Sequence, residues 1–240
     1  ITLADSDPQV IDGDGNGVFE NLELFNTNAA TAPISLAANA TINGTLTFSN
    51  DKLFNINTYN LKLNSTATIA NAGTNRYIQT SGNLGDGGIT RVYPNSTSFI
   101  FPIGTSSTRH ATPAYTPATI GFAGTPSAYG SITVNPVGYE HPATTINNRS
   151  LTYFWRVKSS GFTLASATVT HRYQYSQSDV VEVGADPTEA EYVAARFNSS
   201  TLSWTRGFAA DVDKTSNIIG TASGTFLTNA IFIDGDYTAG

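Results

Sequence analysis

Over the first eighty positions, apolar residues come in short couples that alternate with polar neighbours and end in Asn, Gly, Ser or Asp. Leu22 and Leu24, Ile34 and Leu36, Leu46 and Phe48, and Leu61 and Leu63 are such couples. Alternation inside a couple is the two-residue period of a strand, and the polar interruptions are turn chemistry. Couples recur every 6–12 residues, which suits either a meander or the rungs of a parallel β-solenoid. Tight hairpin signals are few and Asn recurs between the couples, so the solenoid is favoured. Asn43-Gly44 is the main competing hairpin signal.

From about residue 77 the texture changes. A glycine-rich stretch at 82–88 precedes longer alternating runs at 89–93, 98–103, 118–122, 131–137, 151–158, 165–175, 192–198, 202–207 and 225–233. Strands of this length spaced by turns predict an antiparallel sandwich. The expected fold class is therefore all-β: a short N-terminal β-solenoid-like segment over residues 1–80, followed by an antiparallel β-sandwich domain over 81–240. One helix signal interrupts the pattern, Asp186-Pro187-Thr188-Glu189, and the strand-like alternation from Tyr192 limits it to a single turn.

Composition narrows the classes of function. With 240 residues and 40% hydrophobic side chains, the chain can bury a core. It has no cysteine, which removes disulfides, thiolate metal sites and thiol nucleophiles together. A net charge of −6 with 12 Lys and Arg argues against a nucleic-acid partner. No apolar run reaches the length of a membrane-spanning helix. Abundant Thr, Ser and Asn with scarce Lys suits an extracellular β-protein, and the lack of Met suggests that Ile1 is a processed or internal end.

Candidate chemistry is sparse. Asp12-Gly13-Asp14-Gly15-Asn16-Gly17-Val18-Phe19-Glu20-Asn21-Leu22-Glu23 fits the calcium-loop spacing. Asp12, Asp14 and Glu23 would give carboxylates, Asn16 an amide oxygen and Val18 its carbonyl. The competing reading is a solvated turn, because both flanks look extended. Ile-Asp-Gly-Asp recurs at 11–14 and 233–236; modules arrayed head to tail would bring the two strings together to share a cation, and the competing reading is chance recurrence in a chain with many Gly and Asp. His110, His141 and His171 are too scattered for a metal cluster, and no nucleophile or phosphate-binding motif occurs. Trp155 and Trp204 are glycan-binding candidates if exposed and core residues if buried.

Five strings, in order, carry a resemblance. They are Pro8-Gln9-Val10-Ile11-Asp12-Gly13-Asp14-Gly15 with Phe19-Glu20-Asn21-Leu22, Asn43-Gly44-Thr45-Leu46-Thr47-Phe48, Ser98-Phe99-Ile100-Phe101-Pro102-Ile103-Gly104-Thr105, Tyr153-Phe154-Trp155-Arg156-Val157-Lys158, and Gly235-Asp236-Tyr237-Thr238-Ala239-Gly240. Together they resemble the large secreted, adhesin-like surface proteins of Bacteroidota exported by the type IX pathway. The resemblance implies secretion and cell-surface display, and none of its motifs is catalytic. The expected function is thus a non-enzymatic structural or adhesive module, a stalk repeat or filament subunit with the solenoid as stiff spacer. Its partners would be neighbouring modules or copies of itself. The alternative is a carbohydrate-binding module that uses exposed aromatics to hold surface glycans.

Overall fold

The computed structural model describes residues 1–106, 114–182, 188–221 and 224–240. Its N-terminal part is a three-faced, solenoid-like winding. The first coil holds β1 (Thr2–Leu3), β2 (Gln9–Ile11), β3 (Gly17–Phe19) and β4 (Leu22–Leu24). The second holds β5 (Ile34–Leu36), β6 (Ala40–Ile42) and β7 (Thr45–Phe48), and the third β8 (Phe54–Asn57), β9 (Asn60–Leu63) and β10 (Thr68–Ala70). Next come β11 (Ile78–Thr80), β12 (Gly88–Val92), β13 (Phe99–Phe101) and β14 (Ile103–Thr105). Strands stack on their equivalents in the next coil, all in parallel: β1-β4-β7-β10, β2-β5-β8-β11-β14 and β3-β6-β9-β12.

The apolar couples face inward and stack on one another. Leu22 pairs with Leu46 and Leu24 with Phe48, while Ile42 pairs with Leu63 and Ile34 with Phe54. All of these are buried, whereas the residue between each couple points outward. Asn holds the corners. The Asn26 side chain donates to Asp7 O at 2.7 Å, Asn50 donates to Asn26 O, and Asn21 and Asn39 accept from Thr45 N and Asn60 N, each at 2.8 Å. Each side chain thus satisfies main-chain groups of the neighbouring coil that no strand reaches.

Asn43-Gly44 is a corner of this winding and not a hairpin, because β6 and β7 belong to different faces. Gly44 donates to Glu20 O at 2.6 Å, and a Cβ there would lie 2.3 Å from the same oxygen, so only glycine allows this approach of the two coils.

Beyond β12 the pairing turns antiparallel. The remaining strands are β15 (Ala114–Tyr115), β16 (Ala118–Ala123), β17 (Ser131–Val137), β18 (Phe154–Ser160), β19 (Thr168–Gln174), β20 (Ala194–Asn198), β21 (Ser203–Arg206), β22 (Val212–Asp213), β23 (Ile218–Ile219) and β24 (Gly235–Ala239). Strand β12 pairs with β9 in parallel on one side and with β17 antiparallel on the other. One nine-stranded sheet, β21-β20-β24-β18-β17-β12-β9-β6-β3, therefore runs from the last antiparallel strand to the first coil. A five-stranded antiparallel sheet, β13-β16-β19-β23-β22, lies across it, with the Trp155 and Tyr237 rings each 5.0 Å from Tyr173. Because the larger sheet is mixed, the pairing differs from the purely antiparallel sandwich expected for 81–240.

Two local expectations also change. Residues 225–233 form turns and a single bridge in place of the expected strand, while the closing strand, β24, is the one that the Gly235–Gly240 string implied through the resemblance. Ala230 exchanges both main-chain bonds with Val169, and Leu227 O accepts from His171 N, so this segment satisfies the edge of β19 without becoming a strand. The helical turn is a 3₁₀ turn at Glu189–Glu191 whose Thr188 and Glu191 form a capping box; Asp186 and Pro187 of that signal lie outside the described residues, as does His110.

The accessible surface is 10420 Å², against about 10,300 Å² for a compact monomer of this mass. The longest stack of the winding, β2-β5-β8-β11-β14, spans about 19 Å at the usual strand spacing.

Candidate functional site

The Asp12–Glu23 loop does not close into one cage. Residues 12–16 form the corner between β2 and β3, Val18 lies within β3, and Glu23 sits on β4 in another sheet. Strands flank the loop where an EF-hand has helices. The corner is stabilised by its own Asx bonds: Asp12 Oδ1 accepts from Gly13 N at 2.7 Å, and Asp14 Oδ1 from Asn16 N at 2.9 Å. That backbone bond holds the Asp14 carboxyl below its ordinary range. Glu23 accepts from Ser49 Oγ at 2.7 Å and Thr2 Oγ1 at 2.9 Å, and these bonds likewise lower its pKa. Among the described residues no three carboxylate or imidazole groups gather as a metal site would need.

Trp155 is fully buried. Its Nε1 donates to Thr116 O at 2.9 Å and its ring meets Tyr153 at 4.8 Å, so in this fold it cannot stack on a sugar. Alternation along β18 explains this placement. Tyr153, Trp155 and Val157 face the five-stranded sheet, while Phe154 and Arg156 face the segment that carries His141.

Trp204 is different. It is half-buried on the edge strand β21 and lines an open groove of about 410 Å³ together with Ile146, Arg149, Ser150, Glu191 and Arg206. Its Nε1 donates to Ala143 O at 3.0 Å, and its ring is held by Phe197 at 5.1 Å and His141 at 4.8 Å. An aromatic face fixed in this way, beside two guanidinium groups and a carboxylate, suits an uncharged or weakly anionic polar ligand.

Behind Trp204 lies a group that the sequence did not reveal. Asp236 on β24 accepts two bonds from Arg156, from Nε and Nη2, each at 2.9 Å. On its other side His141 Nε2 lies 3.1 Å away. His141 Nδ1 accepts from Ala143 N at 3.1 Å, so the ring proton sits on Nε2 and donates to Asp236. Burial raises the Asp236 pKa, but the bonds from His141 and Arg156 outweigh it and leave the carboxyl below its ordinary range. Both imidazole nitrogens are engaged, which leaves His141 no free lone pair to act as a base. Its role is to brace Trp204. The second string, Asp234-Gly235-Asp236, is thus part of the interior: Asp236 is buried and Asp234 accepts from Ser159 N. Asp236 is not placed to share a cation with a neighbour. The only sequence signal for this group was that Arg156 and Asp236 both fall within the resemblance strings.

Burial pushes the His171 pKa down to about 4. Its ring is stacked beside Tyr173 and Tyr237, with Nδ1 3.0 Å from Tyr173 Oη and Nε2 3.0 Å from Phe232 O. No described helix is long and apolar enough to cross a membrane. Comparison with protein-family models, with curated proteins and with solved structures gave no match.

Proposed function

We propose that this chain is a non-enzymatic structural or adhesive module of a secreted bacterial cell-surface protein. In this reading the coils of residues 1–80 and the sandwich-like part at 81–240 act as one mechanical unit. The observation that supports it is the nine-stranded sheet, whose main-chain ladder joins the first coil to β21 without interruption. Every strand from β3 to β21 is hydrogen-bonded to its neighbour, so the two parts meet through a continuous ladder with no linker between them. The buried polar groups fit this picture, since Arg156, His141 and Asp236 clamp β18, β24 and the 138–150 segment together.

Single-molecule stretching of tandem copies tests the mechanical reading. One all-or-none event per copy is expected, releasing close to the full contour length of about 860 Å at about 3.6 Å per residue. Two separate events of unequal length would overturn it. The Trp204 groove supports the second reading, glycan binding. A polysaccharide array probed with the wild type and with Trp204→Ala decides this. Binding lost in the variant, with its melting temperature retained, would favour a carbohydrate-binding module, and no binding to any glycan would remove it.

A further inference from the structure

The net charge of this protein comes from one end, since acids and bases balance over residues 25–240. Residues 1–24 contain Asp5, Asp7, Asp12, Asp14, Glu20 and Glu23 and no Lys or Arg, so the whole net charge of −6 comes from this coil. The same coil ends the nine-stranded sheet at β3, whose outer edge pairs with no other described strand. Phe19 O accepts from Asn43 N in the parallel ladder with β6, which by alternation turns the N–H and C=O of Val18 outward. Apolar side chains lie exposed around that edge: Ile1, Val10 at 61% and Val18 at 59%.

At the far end of the same sheet the edge strand is β21, and its chemistry is the opposite. Residues 192–210 contain Arg196 and Arg206 and no acid. Arg206 is exposed, and it lines the adjoining groove with Arg149 and one carboxylate, Glu191, which leaves two cations against one anion there. Gly207 N donates to Ala194 O, so by alternation the N–H groups of Trp204 and Arg206 point away from β20. Leu202 at 77% and Phe208 at 68% flank the strand.

We propose that a second copy of this chain docks head to tail, the acidic β3 edge of one molecule adding to the basic β21 edge of the next and continuing the sheet. Unpaired strand edges with exposed apolar neighbours are ready templates for strand addition. Charge selects the orientation: two first coils meeting head to head would bring −6 against −6, whereas β3 against β21 brings acids to arginines. A head-to-tail contact of this kind does not close on itself and gives open chains of copies. The proposal deepens the reading of the chain as a structural module and names its partner. Stretching reads the unfolding of each covalently tethered copy, and tandem copies carrying Val18→Pro, which cannot dock, test that reading without self-association.

The test is sedimentation velocity on the purified chain from about 1 to about 500 µM, at about 50 mM and about 0.5 M salt. The weight-average mass is expected to rise roughly twofold or more with concentration at low salt, and to fall back at high salt. Val18→Pro and Arg206→Pro each remove one outward donor, so each alone should stay monomeric. Mixed in equal amounts, they should form a dimer and nothing larger, because one intact edge of each kind remains. Arg206→Glu, an exposed substitution that leaves the fold in place, should also abolish association. A wild type that stays monomeric throughout overturns the proposal. So does a Val18→Pro variant that associates like the wild type, or a mixture of the two proline variants that forms no dimer.

Discussion

The coils and the antiparallel part bury comparable cores with different materials. In the coils the interior is aliphatic with a few Phe, each residue resting on its equivalent one turn away, and Asn side chains satisfy the corners. In the antiparallel part the interior is aromatic and polar: Tyr153, Trp155, Tyr173, Tyr237 and His171 between the sheets, and an Arg–Asp–His group behind them. A repeating winding meets only its neighbours, so each polar need is small and local. Two sheets joined by long connections must instead be pinned by contacts between distant residues, such as Arg156 with Asp236. Such buried charges are costly to leave unpaired.

That contrast predicts a hierarchy of sensitivities. The largest effect is expected at Asp236→Ala, which strands Arg156 and His141 and should lower unfolding free energy by about 3–5 kcal/mol. Asn50→Ala, which removes one side-chain bond between coils, should cost only about 1 kcal/mol. Denaturant melts of the two variants compare the regions directly, and equal losses would break the distinction.

Acid should act on the antiparallel part next. His171 has a folded pKa of about 4, against about 6.5 in an unfolded chain. Between those values the unfolded state binds a proton that the folded state does not, so stability falls as pH drops. This contribution reaches on the order of 3 kcal/mol below pH 4. In His171→Phe the stability profile between pH 6.5 and 4 should be flatter, whatever its starting level. An unchanged slope would show that the imidazole already takes up protons in the folded state.

The smallest effect is expected at the acidic corner of the first coil. Asp12 and Asp14 already accept local backbone bonds and Glu23 is held by two hydroxyls on another sheet. Millimolar calcium should therefore move the melting temperature by less than about 1 °C relative to chelator. A larger rise that disappears in Asp14→Ala would show that the corner holds the cation with fewer ligands than the sequence spacing suggests.

Local rules made much of this fold legible. The Leu-x-Leu and Ile-x-Leu couples fixed which side chains face inward, and their spacing with recurrent Asn marked a winding, because strand alternation and corner chemistry act over a few residues. Alternation also paired Trp155 with Tyr153 on one face of β18. Sequence by itself left open whether Trp155 or Trp204 was exposed, since that depends on which sheet covers β18 and that β21 is an edge. It did not show that β12 would pair in both senses and merge the two parts, nor that 225–233 would form turns in place of a strand. The calcium spacing could not show where its donors would fall: the carboxylates lie at the corner after β2 and on β4, with Val18 on β3, and these strands belong to three different sheets. Tertiary structure alone brought His141 to Asp236 across 95 positions, because such a contact is set by the closing of the sheets and leaves no periodic mark along the chain.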